Sequence, residues 1–553
     1  DLGAEDMTFR VRFPNNAETE VFVDEQGGQY SLTRMNEFPS SIECLGNNGQ
    51  VIGLILPQSP PEVFPKATWK VGVDFGTSFT NVYTGRSGRT EALQFDESLL
   101  FKVTESPLDT RFPALFDYFI PDRFLPVEKP LPLSSVLTKR GSNTIPGKED
   151  RAVLDGRIYN PSIMNFDPQE DWIETDLKWK NFDSNRLFLQ HLILHISANA
   201  TKQGAKIIRW LLSYPSAFSR NDRNMYASTW IDLLEKSTAM TGIKHQCSLD
   251  PNANHFRTES VSLAQYFADF ERKDMVYSTC IDMGGGTSDI SIWQNNTLLH
   301  QCSLKFAGRD LLSNFLELNP AFVPRHFDSP AASELQGLRG GDFHAKLDVL
   351  LRWESDNWLK RTRPTLTEVE DVQGLIQLMS IGVGGLYYYV GLILKVLKEQ
   401  GTYNLGYSTP VYVGGNGSRL LHWLDATGQF SKFSEVNLLL SRILSRGADI
   451  EDTAEETKLS SQPKDEVACG LVLETTKLKH IDYNHYDSLI PGESYALNDV
   501  AHGWDQPMVI EEDIATFEIP NLDNLNMYLY EFHKALKSLR IEGIRPLPGY
   551  TPS

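Results

Sequence analysis

The feature that most constrains this chain is a short pattern that occurs twice. Val71-Gly72-Val73-Asp74-Phe75-Gly76-Thr77-Ser78 is echoed by Cys280-Ile281-Asp282-Met283-Gly284-Gly285-Gly286-Thr287-Ser288. Each copy is an apolar run that ends in aspartate. A glycine turn with threonine and serine follows, and then a second β-like run at 80–84 or 289–293. Each part has a chemical use. A carboxylate at a strand end is rigidly placed and can hold Mg²⁺ directly or through its waters. Glycine removes the Cβ, so backbone N–H groups can approach phosphate oxygens closely. The neighbouring hydroxyls add donors at the same oxygens. One such turn is a weak signal; two facing copies would clamp a polyphosphate from both sides.

The rest of the chain supplies a frame for that duplication. A length of 553 residues exceeds one ordinary core and suggests about two to four domains. Residues 1–66 read as a small β-rich module, with short strands at 9–13, 20–24, 42–45 and 51–56 and a proline-rich linker at 57–65. From Trp69 onward, strands at 207–213 and 275–282 alternate with helical patterns at 187–200 and 221–234. Such alternation implies α/β architecture. Helical patterns dominate 310–400, an acidic and polar loop is expected at 451–461, and one amphipathic helix lies near 522–539. The stretch 375–394 is apolar for about the length of a bilayer core. It carries Gln377, Ser380, three consecutive tyrosines from Tyr387, and the glycines Gly382, Gly384, Gly385 and Gly391. It therefore reads as a buried helix packed through its glycines, not as a membrane span.

Composition excludes some partners. The chain is 41% hydrophobic and 22% charged with a formal net charge of -20, which is a globular composition. So acidic a chain argues against non-specific binding to nucleic acid or to an acidic membrane, because both need a basic face. A small polyanion held with a metal is not excluded, because the local site decides there. The five cysteines are an odd number without C-x-x-C spacing, so neither a disulfide framework nor a zinc site is signalled. His255, His300 and His344 show no helix-spaced metal pattern. No secretory signal is visible at the start, which is Asp1, and a reduced, cytoplasmic setting is the expectation.

In the two repeated segments the chain resembles the actin, sugar-kinase and heat-shock-chaperone ATPase superfamily, most of all the nucleotide-binding domain of the seventy-kilodalton chaperones. Further segments resemble that family in its order: Glu174-Thr175-Asp176-Leu177-Lys178-Trp179, then Tyr214-Pro215-Ser216-Ala217-Phe218, then Arg257-Thr258-Glu259-Ser260. Ala307-Gly308-Arg309-Asp310, the strand and glycines of Pro410-Val411-Tyr412-Val413-Gly414-Gly415, and Pro463-Lys464-Asp465-Glu466-Val467-Ala468-Cys469-Gly470 follow. The resemblance implies a two-lobed actin-like ATPase fold built from duplicated ribonuclease H-like domains. Lobe I would span 67–274 and lobe II 275–462, with a return helix at 463–480 and a C-terminal extension at 481–553.

The resemblance also implies roles. Asp74 and Asp282 would orient Mg²⁺ through its waters, with Asp289 in support. Gly76, Thr77, Ser78, Gly284, Gly285, Gly286 and Thr287 would contact the phosphates of ATP, and Gly308 would close the second turn. Lys178, or its neighbour Lys180, would stabilise the transferred phosphoryl group, and Glu259 would orient or deprotonate the attacking water. Gly414, Gly415, Asn416 and Arg419 would line the adenosine, with Lys360 and Arg361 gripping it from a helix. A slow ATP hydrolase is implied, chaperone-like in its site and acting as a nucleotide-driven switch on a protein partner. That partner would dock through residues 1–66 or the C-terminal extension. The peptide-binding module of the chaperones is not evident after Leu473. A filament-forming homo-oligomer and a small-molecule kinase are the alternative readings.

Overall fold

The computed structural model describes residues 10–12, 18–23, 29–34, 38–46, 48–58, 64–86, 88–94, 129–138, 157–158, 160–161, 166–169, 173–178, 182–250, 253–327, 330–359, 370–451, 457–474, 477–478, 495–502, 516–518 and 522–546. The protein is mixed α/β, and two of its sheets repeat one topology. In the first, Ala67–Phe75, Phe79–Arg86 and Arg89–Ala92 form an antiparallel meander. Ala205–Tyr214 then joins Ala67–Phe75 in parallel, and Lys244–Gln246 and Phe256–Thr258 pair in parallel with Ala205–Tyr214. In the second, Tyr277–Met283, Ser288–Gln294 and Thr297–Leu304 form the meander. Val411–Gly414 joins Tyr277–Met283 in parallel and Thr457–Leu459 adds beyond it. The echo in the sequence is therefore the visible part of a longer repeat.

Burial explains the composition of these strands. A strand covered on both faces reads as a continuous apolar run, not as an alternating one. Val71, Val73, Phe75, Cys280 and Ile281 are all fully buried. On the outer face of the first sheet, Trp69, Val73 and Trp210 pack against Leu192, Ile196 and Trp230 of the helices Phe182–Lys202 and Arg220–Thr241. The second of these helices is bounded by local chemistry. Ser219 and Asp222 form a capping box at its start, and Gly242 closes it in the left-handed region at φ 72°. On the outer face of the second sheet lies the largest core, built from Gly340–Leu359, Glu370–Glu399 and Glu435–Gly447.

Between the sheets runs a third layer. The short helices Glu259–Gln265 and Glu466–Val472 are buried throughout. They pack with Leu211, Cys280, Trp293 and Tyr412 from the inner faces of both sheets. They cross where Gly470 meets Ser262: a Cβ on Gly470 would stand 1.9 Å from the Ser262 carbonyl oxygen. Only glycine allows backbones so close.

Some expectations are revised. The loop expected at 451–461 contains the strand Thr457–Leu459, in parallel register with Val411–Val413. A three-residue strand is too short to show a period, and its neighbours supply its hydrogen bonds. The expected helix at 522–539 spans Asp523–Leu539, and its Tyr528, Phe532 and Leu536 join the core of the second sheet. The small sheet Tyr495–Leu497, Val500–His502 and Phe517–Glu518 had no signal in the sequence. The N-terminal residues also hold a strand beyond the four expected, Gln29–Arg34, which pairs antiparallel with Glu18–Val23. The apolar stretch is the helix Glu370–Glu399, long and apolar enough to cross a membrane by length and composition. Its apolar face forms the second core, and Gly391 meets the backbone of Glu435–Gly447, where an added Cβ would stand 2.3 Å from the Leu444 oxygen.

Candidate functional site

The two repeated turns close in the same way. Gly76 N–H donates to the Phe79 carbonyl, and Gly284 N–H to the Thr287 carbonyl, each at 3.0 Å. The hairpins share a register: Asp74 is paired with Asn81, and Asp282 with Asp289. A Cβ on Gly285 would stand 3.5 Å from Ser78 Oγ, so the turns face each other. Between them opens a cleft of about 1240 Å³, counted with the solvent at its mouth. It is lined by Asp74, Gly76, Thr77 and Ser78 from one side, and by Asp282, Gly284, Gly285, Gly286, Thr287 and Asp289 from the other.

Neighbouring segments hold these turns. Ser135 reaches under the first, donating its hydroxyl to the Gly76 carbonyl at 2.7 Å and its N–H to the Ser78 carbonyl at 3.0 Å. Gly308 N–H donates to the Gly284 carbonyl at 3.1 Å and Arg309 N–H to that of Gly285 at 2.8 Å, which latches the second. Arg309 lies in the cleft between carboxylates, 3.1 Å from Asp348 and 3.8 Å from Asp176, with Ser78 Oγ at 3.4 Å.

Gly415, Asn416 and Arg419 form the third wall. Gly415 sits at φ 78°, and a Cβ there would stand 2.2 Å from Asp282 Oδ1. Gly414, expected on this wall, is buried behind it against Leu263 and Glu466. Arg419 is held by Ser355 Oγ at 3.1 Å and Asp356 Oδ1 at 2.5 Å. Leu312, Leu351, Trp358, Leu420 and Trp423 make this end apolar. Trp358 is fixed by stacking on Phe327, with ring centroids 4.0 Å apart. Lys180, Lys360 and Arg361 lie outside the described residues.

The charges at the polar end are paired with care. Lys178 Nζ lies 2.6 Å from Glu259 Oε1, with side chains only 4% and 11% exposed. Burial pushes the Glu259 carboxyl up to about 7, against the pull of Lys178 and with a push from Asp289 and Asp74. Asp289 accepts the Ser216 N–H at 2.9 Å and stands 3.5 Å from the Thr287 hydroxyl. Asp74 accepts from Ser213 Oγ at 3.2 Å and from Lys464 Nζ at 2.6 Å. Glu466, pushed up to about 7 by burial, accepts the Gly415 N–H at 3.1 Å. Lys464, Glu466, Arg309 and Asp348 line the cleft, but the sequence did not mark them as site residues.

Asp282 differs from its neighbours. No donor reaches its carboxylate among the described residues. Burial, and then Glu466, Asp74 and Glu259, hold its carboxyl well above the usual carboxylate range. Among the described residues the lining holds six carboxylates, at Asp74, Glu259, Asp282, Asp289, Asp348 and Glu466. Its four cations are Lys178, Arg309, Arg419 and Lys464. An anion entering this excess of negative charge needs a cation with it. The unpartnered oxygens of Asp282 suit a hard divalent ion bound through water. Asp282 is thus the carboxylate of the lining open to such an ion, while Asp74 is already engaged by Lys464.

The cleft therefore offers glycine-turn N–H groups, hydroxyls and paired charges at one end and aromatic and aliphatic surface at the other. Searches with protein-family models and against curated proteins found no match to this chain.

Proposed function

We propose that this chain is a two-lobed, actin-like ATPase that binds ATP with Mg²⁺ between its halves, hydrolyses it slowly, and passes the resulting change of shape to a protein partner. One observation carries the reading: two glycine turns in identical register face each other across one cleft, with the Lys178–Glu259 pair beside them. The apolar end accepts a base and the turns accept the phosphates.

The residues divide the work. N–H groups of Gly76 and Gly284 close their own turns, which leaves the next residues, Thr77, Ser78, Gly285 and Gly286, to face the phosphates. Lys178 moves from Glu259 to the terminal phosphate when a nucleotide arrives, because a phosphate oxygen competes for the same ammonium. That move frees Glu259 to take a proton from the attacking water, and a base poised near neutral pH suits that task. Asp282 would hold a Mg²⁺ ion through its waters, and that ion would supply positive charge at the phosphate oxygens. The exposed Val51, Ile52, Leu54 and Ile55 on an edge strand of the N-terminal module support a docking role for residues 1–66.

The test is ATP binding and phosphate release by the wild type beside Asp282→Asn and Lys178→Ala. Both variants are expected to lose turnover, by about a hundredfold or more for loss of a cation aimed at developing charge. Unchanged turnover in both would remove the site assignment. Phosphate release without any added acceptor distinguishes hydrolysis from kinase activity.

A further inference from the structure

The feature left over from this reading is Lys464. It precedes the crossing helix Glu466–Val472 and adopts φ 82°, a left-handed conformation that a side-chain-bearing residue rarely takes. Surroundings must impose such a state, and here the first hairpin does. Asn81 Nδ2 donates to the Lys464 carbonyl at 3.1 Å and to Asp465 Oδ1 at 2.6 Å, and Tyr83 OH donates to Asp465 Oδ2 at 2.7 Å. The lysine so held points its ammonium at Asp74 Oδ2, 2.6 Å away. It also stands over the glycine turn, 3.3 Å from where a Cβ on Gly76 would be. At that distance no water separates the ammonium from the carboxylate, so a hydrated metal has no place between them.

We propose that Lys464 is a built-in counter-cation of the cleft: it neutralises Asp74 permanently and offers its remaining N–H donors to the polyphosphate, so that nucleotide binding survives removal of divalent metal. This rests on the nucleotide reading above. Metal is then required at Asp282 for turnover but not at Asp74 for binding, so the two processes part company when metal is withdrawn.

The experiment measures the affinity of the full chain for a fluorescent ATP analogue, in Mg²⁺ and in EDTA. Wild type is expected to lose less than about tenfold in affinity on chelation. Lys464→Met is expected to lose about a hundredfold in EDTA and to regain part of it in Mg²⁺, while Lys464→Arg stays near wild type. Thermal melting checks the fold. If Lys464→Met melts early because Asp74 is left unpaired, the double variant Asp74→Asn/Lys464→Met removes both charges and is expected to show the same weak binding in EDTA. Collapse of wild-type binding in EDTA overturns the inference, as does wild-type-like binding by Lys464→Met or by the double variant. If wild type binds the analogue in neither buffer, the nucleotide reading itself fails and the role of Lys464 falls with it.

Discussion

Replacing Gly470 by alanine tests the layer that joins the two sheets. In an unencumbered helix the change stabilises, because alanine is the better helix former by about 1 kcal/mol. At Gly470 the new Cβ would stand 1.9 Å from the Ser262 oxygen, 2.9 Å from its carbon and 3.2 Å from Tyr266 N. All three are backbone atoms, so no side chain can rotate away. Relief requires the helices Glu259–Gln265 and Glu466–Val472 to part by more than an ångström, and they are clamped between two sheets. Overpacking of a tight core costs about 1–3 kcal/mol, and rigid neighbours place this case at or above the upper end. After the helix gain, a net loss of about 2–3 kcal/mol is expected. Gly374→Ala in the helix Glu370–Glu399 is the control: the residue is exposed and its Cβ would meet nothing within 4 Å. Urea unfolding followed by circular dichroism should move the midpoint down for Gly470→Ala and leave it level or higher for Gly374→Ala. Equal midpoints for the two would refute the crossing of these helices, and with it the position of Glu259 in the cleft.

Further outcomes follow from the site. Because Glu259 is held near 7 with Lys178 beside it, and rises further when Lys178 leaves for the phosphate, it must lose a proton before it can accept one; turnover is therefore expected to climb with pH through about 7 and to level off only above that. Glu259→Gln should leave a low rate without that limb in a pH–rate profile. Gly415→Ala forces a Cβ to 2.2 Å from Asp282 Oδ1 at φ 78°, so nucleotide affinity measured by fluorescence should drop at least about tenfold. Trp358→Ala removes an aromatic wall of the apolar end and should weaken an adenine nucleotide more than inorganic triphosphate in competition binding.

The parts of the site that the sequence shows are those whose chemistry is contiguous. Asp74-Phe75-Gly76-Thr77 and Asp282-Met283-Gly284-Gly285 carry carboxylate, turn and donors within a few residues, and each ends a run whose burial on both faces removes any ambiguity about strand type. Lys464, Arg309 and Asp348 were not visible, for a different reason. Each acts through a partner far away in the chain: Lys464 on Asp74, Arg309 on Ser78, Asp348 on Arg309. Lys464 also depends on a positive φ that no local composition announces, since glycine or asparagine would be the expected residue there. The same limit explains Gly414 and Gly415, adjacent and alike in sequence, of which only the second faces the cleft. A half-turn of strand decides between them, and that is fixed by the pairing of Val411–Gly414 with Tyr277–Met283.

The repeat has one consequence that neither copy has alone. Asn81 and Asp289 occupy the same place in their hairpins, opposite Asp74 and Asp282, yet they differ in chemistry and each bonds away from its own sheet. Asn81, in the first sheet, ties down Lys464 and Asp465, which follow the last strand of the second. Asp289, in the second sheet, accepts the N–H of Ser216, just beyond the strand Ala205–Tyr214 of the first. Residues next to the two turns are thus also the stitches between the two halves. A phosphate bound at either turn, as proposed, would load the stitch beside it, and the buried helices that cross at Gly470 lie between the two sheets. Coupling of nucleotide to domain movement needs an element with two arrangements that the ligand can bias. If nucleotide binding shifts the two halves as proposed, the reciprocal bonds of Asn81 and Asp289 are where such a bias would act, because each runs from one hairpin to a segment of the other half.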